Sequence, residues 1–173
     1  MIELEKTYLA KAIPADLQSY DSKEIIDIYI PKDKEHPTLR IRKNGDKYEM
    51  TKKEPVQGND SSRQEEQTIR LTEEEFKVLN GLDGKRVRKI RYYYNFQGQI
   101  AEIDVFQDDL AGLILVDCEF NSQEEMDKFG MPDFCLAEVT QEKFLAGGML
   151  CGKKYQDIEE DLGKFGYKKL DIE

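Results

Sequence analysis

Residues 38–53 read TLRIRKNGDKYEMTKK. Leu39, Arg40, Ile41 and Arg42 alternate apolar and cationic, the two-residue period of a strand with one apolar face and one charged face. Asn44-Gly45 is a hairpin signal, because tight two-residue turns favour residues that accept positive φ, and 46–53 is its return strand. Outward from this hairpin, strands are expected at 2–9, 23–30, 63–71, 86–96, 99–106 and 112–120. Most are joined by short turns, Gln97-Gly98 among them, so the pairing is antiparallel. Thr72 opens a helix to about Gly81 through a capping box with Glu75. Ser122 caps a second short helix, 140–150 has helical spacing interrupted by Gly147-Gly148, and 155–167 is a last amphipathic helix.

The polar faces of these strands are unusual. Arg40 and Arg42 share a face, and so do Glu3 and Glu5, opposite Ile2 and Leu4. Lys89 and Arg91 oppose Ile90 and Tyr92, Glu102 and Asp104 oppose Ala101, Ile103 and Val105, and Asp117 and Glu119 oppose Val116, Cys118 and Phe120. A solvated face normally mixes Thr, Ser, Lys, Gln and Glu. Like charges two residues apart repel by roughly 1 kcal/mol or less in water, so five such doublets point to charges that are used. A sheet curled with these faces inward makes a barrel with a wet, charged lumen, and its apolar exterior needs helices against it. Arg and Lys suit phosphate oxygens and carboxylates suit divalent cations, which together describe a metal–polyphosphate site.

Composition narrows the alternatives. The chain has 173 residues, which suits one domain over 1–173 with 155–173 as a C-terminal helical extension. Lys and Arg total 26 against 36 Asp and Glu, a net charge of −10, which argues against a nucleic-acid partner. No run approaches the roughly 18 apolar residues of a membrane span, and MIELEKTYLAK lacks the apolar region of a secretory signal. The three cysteines, Cys118, Cys135 and Cys151, have no CxxC spacing; free thiols and a cytoplasmic location are expected. His36, the only histidine, lies in a His-Pro turn, which sets aside a Ser-His-Asp triad and a multi-histidine metal site. Tyr92, Tyr93 and Tyr94 read as strand packing, and Cys118 as a small core residue.

The ordered series of motifs resembles the CYTH superfamily, the triphosphate tunnel metalloenzymes, over nearly the whole chain. It runs through Glu3-Leu4-Glu5, Arg40-Ile41-Arg42, Thr51-Lys52, Arg63-Gln64-Glu65 and Lys89-Ile90-Arg91-Tyr92. It continues through Glu102-Ile103-Asp104-Val105-Phe106, Asp117-Cys118-Glu119-Phe120 and Glu138-Val139-Thr140. The resemblance implies an α+β, β-dominated fold, an eight-stranded antiparallel β-barrel with helices packed outside. It implies divalent-metal-dependent hydrolysis of an inorganic or organic triphosphate, such as tripolyphosphate, ATP or thiamine triphosphate. The alternatives it carries are a class IV-type adenylate cyclase and a non-catalytic polyphosphate- or nucleotide-binding protein. Carried over by position, Glu3, Glu5, Asp117 and Glu119 would bind Mg²⁺ or Mn²⁺, and Arg40, Arg42, Lys52, Lys89 and Arg91 would cradle the triphosphate. Glu5, Asp104 and Lys89 would be the catalytic groups, with Thr7, Glu65, Glu102 and Asp104 also facing the lumen. The chain departs from the family pattern at Thr7, where E-x-E-x-K has Lys, at Gln67 and at Asp117. Thr7 implies reduced turnover.

Overall fold

The alternating segments pair as nine antiparallel strands in a computed structural model that describes residues 2–58 and 60–172. They are β1 (Ile2–Ala10), β2 (Ser22–Ile30), β3 (Leu39–Asn44), β4 (Lys47–Pro55), β5 (Arg63–Leu71), β6 (Lys85–Phe96), β7 (Gln99–Phe106), β8 (Ile114–Phe120) and β9 (Cys135–Glu138). The helices are α1 (Glu73–Leu79), α2 (Gln123–Lys128), α3 (Gly147–Leu150) and α4 (Tyr155–Gly163). Strand order is β5-β4-β3-β2-β6-β7-β8-β1-β9, and a further β5–β1 pairing closes the first eight into a barrel. Strand β1 shares one edge between two partners. Ile2–Leu4 pairs with β5, whereas Tyr8–Ala10 pairs with the short β9. The eight-stranded barrel expected from the sequence is therefore present, and β9 is an addition that its four residues did not announce.

Most strands point an apolar face outward, covered where a helix or loop reaches it; β5 is the exception, with Arg63, Glu65 and Gln67 on its outer face. Ile28 and Ile41 are buried under Phe76 of α1, with Tyr48, Met50 and Leu71 around them. The capping box holds α1 in place: the Thr72 hydroxyl accepts from Glu75 N at 3.2 Å and the Glu75 carboxylate accepts from Thr72 N at 2.7 Å. Across the barrel, Tyr8, Ile103, Val116, Cys118 and Phe120 pack with Met126 of α2 and with Phe134. All three cysteines are buried and free.

The inward rows change character along the strands. Leu9 continues the row of Glu3, Glu5 and Thr7, Phe106 that of Glu102 and Asp104, and Leu115 that of Asp117 and Glu119. These apolar ends form one cluster with Leu150 of α3, with Tyr155, Ile158 and Leu162 of α4, and with Tyr167. The charged lumen is thus floored with hydrocarbon at one end of the barrel. Tyr167 locks the floor: its hydroxyl accepts from Ile114 N and donates to Gly112 O, both at 2.8 Å.

Two expected helices are shorter than their spacing suggested. Over 140–150 there is only a 3₁₀ turn at Lys143–Leu145 and the single turn of α3. The two glycines are there for close approach. A Cβ on Gly147 would lie 2.2 Å from the Tyr29 hydroxyl, and one on Gly148 would lie 2.3 Å from Pro37 O. The last helix stops at Gly163, and Gly166 at φ +73° turns the chain so that Tyr167 can dock.

Ile41 is 0% exposed on the outer face and Ile69 on β5 is 63% exposed. A carboxylate at the first would be buried without a partner. Ile41→Glu is expected to cost about 4 kcal/mol or more in urea unfolding, and Ile69→Glu to change stability by less than about 0.5 kcal/mol.

Candidate active site

The hairpins set which charges meet. In antiparallel pairs, residues directly opposite share a face. Arg91 stands opposite Asp104, and Asp27 opposite Arg42. Both pairs are buried. The Arg42 guanidinium grips Asp27 in a two-pronged pair at 2.6 and 2.7 Å. Arg91 does the same to Asp104, at 2.7 Å through both nitrogens, and also contacts Glu102. Lys89 donates to the second oxygen of Asp104. A third contact of Arg91 runs to Asp117 on β8 at 3.5 Å. A fork on a carboxylate pairs a buried charge through two charge-assisted hydrogen bonds at once.

These pairings decide protonation. Burial alone would favour the neutral form of Asp27, but the Arg42 charge and its hydrogen bonds outweigh burial and bring the carboxyl down to about 2. Asp104 is 1% exposed, and Arg91 and Lys89 hold it well below the usual carboxylate range despite its burial. Asp104 was expected among the catalytic groups. With both oxygens in ion pairs and its anionic form so favoured, it is a poor proton acceptor and acts as the anchor of Lys89 and Arg91. Burial lowers the Lys89 ammonium below its ordinary value against the pull of Asp104.

The opposite wall is not balanced in this way. Glu5 stands directly across from Glu119, and Thr7 from Asp117. The Thr7 hydroxyl donates to Asp117 at 2.7 Å, and its backbone N–H donates to the Thr140 hydroxyl at 3.1 Å. Thr7 therefore faces the lumen as expected, whereas Lys6, on the other parity, lies 3.8 Å from Glu138 of β9. Like charges opposite one another are unfavourable. Burial, then Glu102, Glu3 and Glu5, push the Glu119 carboxyl up to about 7. Burial raises Glu5 and Glu102 as well.

Besides the Arg91 contact to Asp117, a second cation reaches this wall, from β4 past β5. The Lys53 ammonium lies 2.8 Å from Glu3 and 2.9 Å from Glu5. Lys52, expected in the cradle, is on the outer face: its side chain is 51% exposed and lies 3.4 Å from Glu54. The reason is the hairpin register. Arg40 is opposite Thr51 and Arg42 opposite Glu49, so the odd-numbered residues of β4 share the arginines' face and Lys53 is the next inward position. Glu65 is displaced in the same way. It pairs with Ile2 on one side and Glu54 on the other, both outward, while Glu66 pairs with Lys53 and faces in. Glu66 accepts from the Thr68 hydroxyl at 2.7 Å and lies 3.9 Å from Arg40. Arg40 keeps a buried Nε with no hydrogen-bond partner, a donor available to an anion.

Sequence reasoning placed Glu3, Glu5, Thr7, Arg40, Arg42, Lys89, Arg91, Glu102, Asp104, Asp117 and Glu119 on inward rows, and the structure brings these together. It missed Asp27, Tyr29, Lys53 and Glu66. A lone Asp in the apolar run KEIIDIYI was a signal for a buried pair. Tyr29 is buried beside Arg40, which lowers its hydroxyl against the stronger effect of burial.

Among the described residues, no three His, Cys, Asp or Glu side chains are grouped so as to hold a metal ion in this arrangement. The carboxylates nonetheless hold a cation, and it is Lys53. Hard carboxylate oxygens with surplus negative charge, already accepting an ammonium, are a donor set that fits Mg²⁺ or Mn²⁺.

The CYTH domain family pattern matches residues 6–142. An inorganic triphosphatase of Nitrosomonas europaea is 32% identical over 145 residues, which are 83% of this chain and 92% of that protein. A crystal structure of an inorganic triphosphatase aligns with a TM-score of 0.63 and 27% identity, covering 87% of this chain and 95% of that one. A putative adenylate cyclase of Bacillus halodurans aligns at 0.54 with 15% identity over 99% of this chain and 93% of that one, a likeness of fold alone.

Two outcomes are expected in metal-free buffer. Asp27, depressed to about 2, contributes stability that is present above about pH 4 and lost as pH falls toward 2. Asp27→Asn leaves Arg42 buried without a counter-ion, so it should cost about 3–5 kcal/mol in urea unfolding at pH 7 and flatten that acid limb. Glu119, raised from 4.5 to about 7, works in the other direction. The stability its neutral form allows is full below about pH 4.5 and lost as pH rises through about 7. The melting temperature should therefore fall between pH 5 and 8, with Glu5 and Glu102 contributing, and Glu119→Gln should reduce that fall. A Glu119→Gln melting curve parallel to wild type would rule this out.

Proposed function

Because the chain belongs to the CYTH domain family, we propose that it is a divalent-metal-dependent triphosphatase acting on an inorganic triphosphate. The observation that carries this reading is the two-sided lumen. A wall of carboxylates on β1, β7 and β8 faces cations on β3, β4 and β6 inside one closed barrel. Similarity to proteins named inorganic triphosphatases supports the substrate class. In this reading the chain works as one unit in which residues 155–173 are the C-terminal extension that helps to close the barrel.

Glu3, Glu5, Asp117 and Glu119 would hold Mg²⁺ or Mn²⁺. A bound ion would polarise phosphoryl oxygens and supply a water acidic enough to attack at neutral pH. The remaining work belongs to the side chains. Phosphoryl transfer needs mainly positioning and charge stabilisation. Arg40 offers its unpaired Nε to the phosphate chain. Lys89 and Arg91, fixed by Asp104, and Arg42, fixed by Asp27, present positive charge without the reorganisation a flexible cation would need. Thr7 orients Asp117 through its hydroxyl. It brings no charge of its own, so turnover is slower than with Lys at this position. The apolar floor built on Phe106, Leu115 and α4 limits water at the inner end.

Purified protein is to be incubated with tripolyphosphate, ATP or thiamine triphosphate and with Mg²⁺, Mn²⁺ or EDTA. Phosphate release from tripolyphosphate is expected with metal and not with EDTA. Arg40→Glu should lower it at least about 100-fold while the circular dichroism spectrum stays native. Cyclic AMP from ATP, or tight binding without any product, would overturn the proposal.

A further inference from the structure

We infer, resting on the metal-dependent reading above, that Lys53 is an exchangeable counter-ion that couples metal binding to triphosphate binding. It offsets the charge of Glu3 and Glu5 in part while no metal is present, and gives them up when a divalent cation arrives. It then turns its ammonium to the phosphate chain.

Three observations lead there. The Lys53 ammonium lies 2.8 Å from Glu3 and 2.9 Å from Glu5, and among the described residues neither carboxylate has another cation in ion-pair contact. Its pairing is also of a different kind from the arginine forks in the lumen, and unlike Lys89, whose partner Asp104 is also clamped by Arg91, Lys53 is the partner of two carboxylates that no fork holds. Arg42 and Arg91 each clamp one aspartate with a planar fork, which fixes two bonds at once and gives way reluctantly. Lys53 is a point charge on a flexible four-carbon stem, shared between two different side chains, so it can leave without breaking a bidentate geometry. Finally, Lys53 starts from the cation side. Its backbone pairs with Glu66 on β5, and Glu66 lies 3.9 Å from Arg40. Retracting from Glu3 and Glu5 returns the ammonium toward Arg40, whose Nε has no hydrogen-bond partner.

The consequence is reciprocal. Metal must displace Lys53 from the carboxylates, so metal alone binds more weakly than the donor set would allow. A triphosphate that attracts the ammonium removes that competitor. By linkage, metal improves triphosphate binding by the same factor. The device keeps the carboxylate pair partly compensated in the resting protein and makes the full site assemble only when both components are present.

The test is calorimetry on the whole chain, with Mn²⁺ alone and with imidotriphosphate, whose P–N–P bridges resist hydrolysis, in EDTA and in Mn²⁺. Wild type is compared with Lys53→Met and Lys53→Arg. Lys53→Met should bind Mn²⁺ alone about tenfold more tightly than wild type, and its gain in imidotriphosphate affinity on adding Mn²⁺ should shrink by about tenfold. Lys53→Arg, which keeps a cation on the carboxylates, should bind Mn²⁺ alone no more tightly than wild type. Lys53→Gln replaces Lys53→Met if circular dichroism shows that the latter is unfolded. A merely structural role for Lys53 would weaken Mn²⁺ binding in every variant. That result, or unchanged Mn²⁺ affinity in a folded Lys53→Met, overturns the inference while leaving the triphosphatase reading intact. Wild type that binds neither Mn²⁺ nor imidotriphosphate overturns both.

Discussion

Asp104 between Lys89 and Arg91 is the interaction on which the lumen depends. Two cations on β6 are buried, and a buried charge without a partner is prohibitively costly. A carboxylate on β7, directly opposite Arg91, pairs with both, and Glu102 and Asp117 supply Arg91 with the remaining negative charge. Asp27 does the same for Arg42 across β2 and β3. Cross-strand pairs of opposite sign therefore hold half of the barrel together from the inside, where an ordinary barrel would use hydrocarbon. The apolar side chains are on the outside, under α1 and α2, and at the floor.

That stable half supports a strained one. On β1 and β8 the facing residues are Glu5 with Glu119 and Thr7 with Asp117. Burial first, and then the neighbouring carboxylates Glu102, Glu3 and Glu5, raise the proton affinity of Glu119. Strain of this kind persists only where the surrounding fold over-determines it. Here the fold does so through the covered outer faces of β1 and β8, with Tyr8, Val116, Cys118 and Phe120 packed in one cluster.

The strained wall also adjoins the barrel's closure. Strand β1 meets β5 over three residue pairs and then turns to β9. Lys53 reaches from β4 past β5 to Glu3 and Glu5, so it ties the two sides of this short seam electrostatically. Binding chemistry and barrel closure share the same side chains.

Most of the lumen was legible from residue types alone, because a strand's period of two assigns each charge to a face and a one-residue slip would bury it in the wrong place. Arg40, Arg42, Lys89, Arg91, Glu3, Glu5, Glu102, Asp117 and Glu119 follow from that rule, and so do the outward Ile41 and Cys118. Lys53 was legible too. A two-residue turn after β3 places the odd residues of β4 on the arginines' face whether it falls at Asn44-Gly45 or at Gly45-Asp46, whereas Lys52, which shares a face with Tyr48 and Met50, rested on the family resemblance alone. Glu66 was not legible. A seven-residue loop, 56–62, separates β4 from β5, and a loop of that length does not fix register. The run RQEEQTIRL has no apolar alternation to do it instead. The sequence by itself determined the eight barrel strands, most of their faces and the charge the lumen would carry, since these depend on local geometry and side-chain chemistry. The tertiary structure decided which walls face each other, that Glu66 rather than Glu65 enters the lumen, and that Lys53 lies between Glu3 and Glu5. Those outcomes depend on how a closed barrel staggers strands far apart in the chain, which no local pattern encodes.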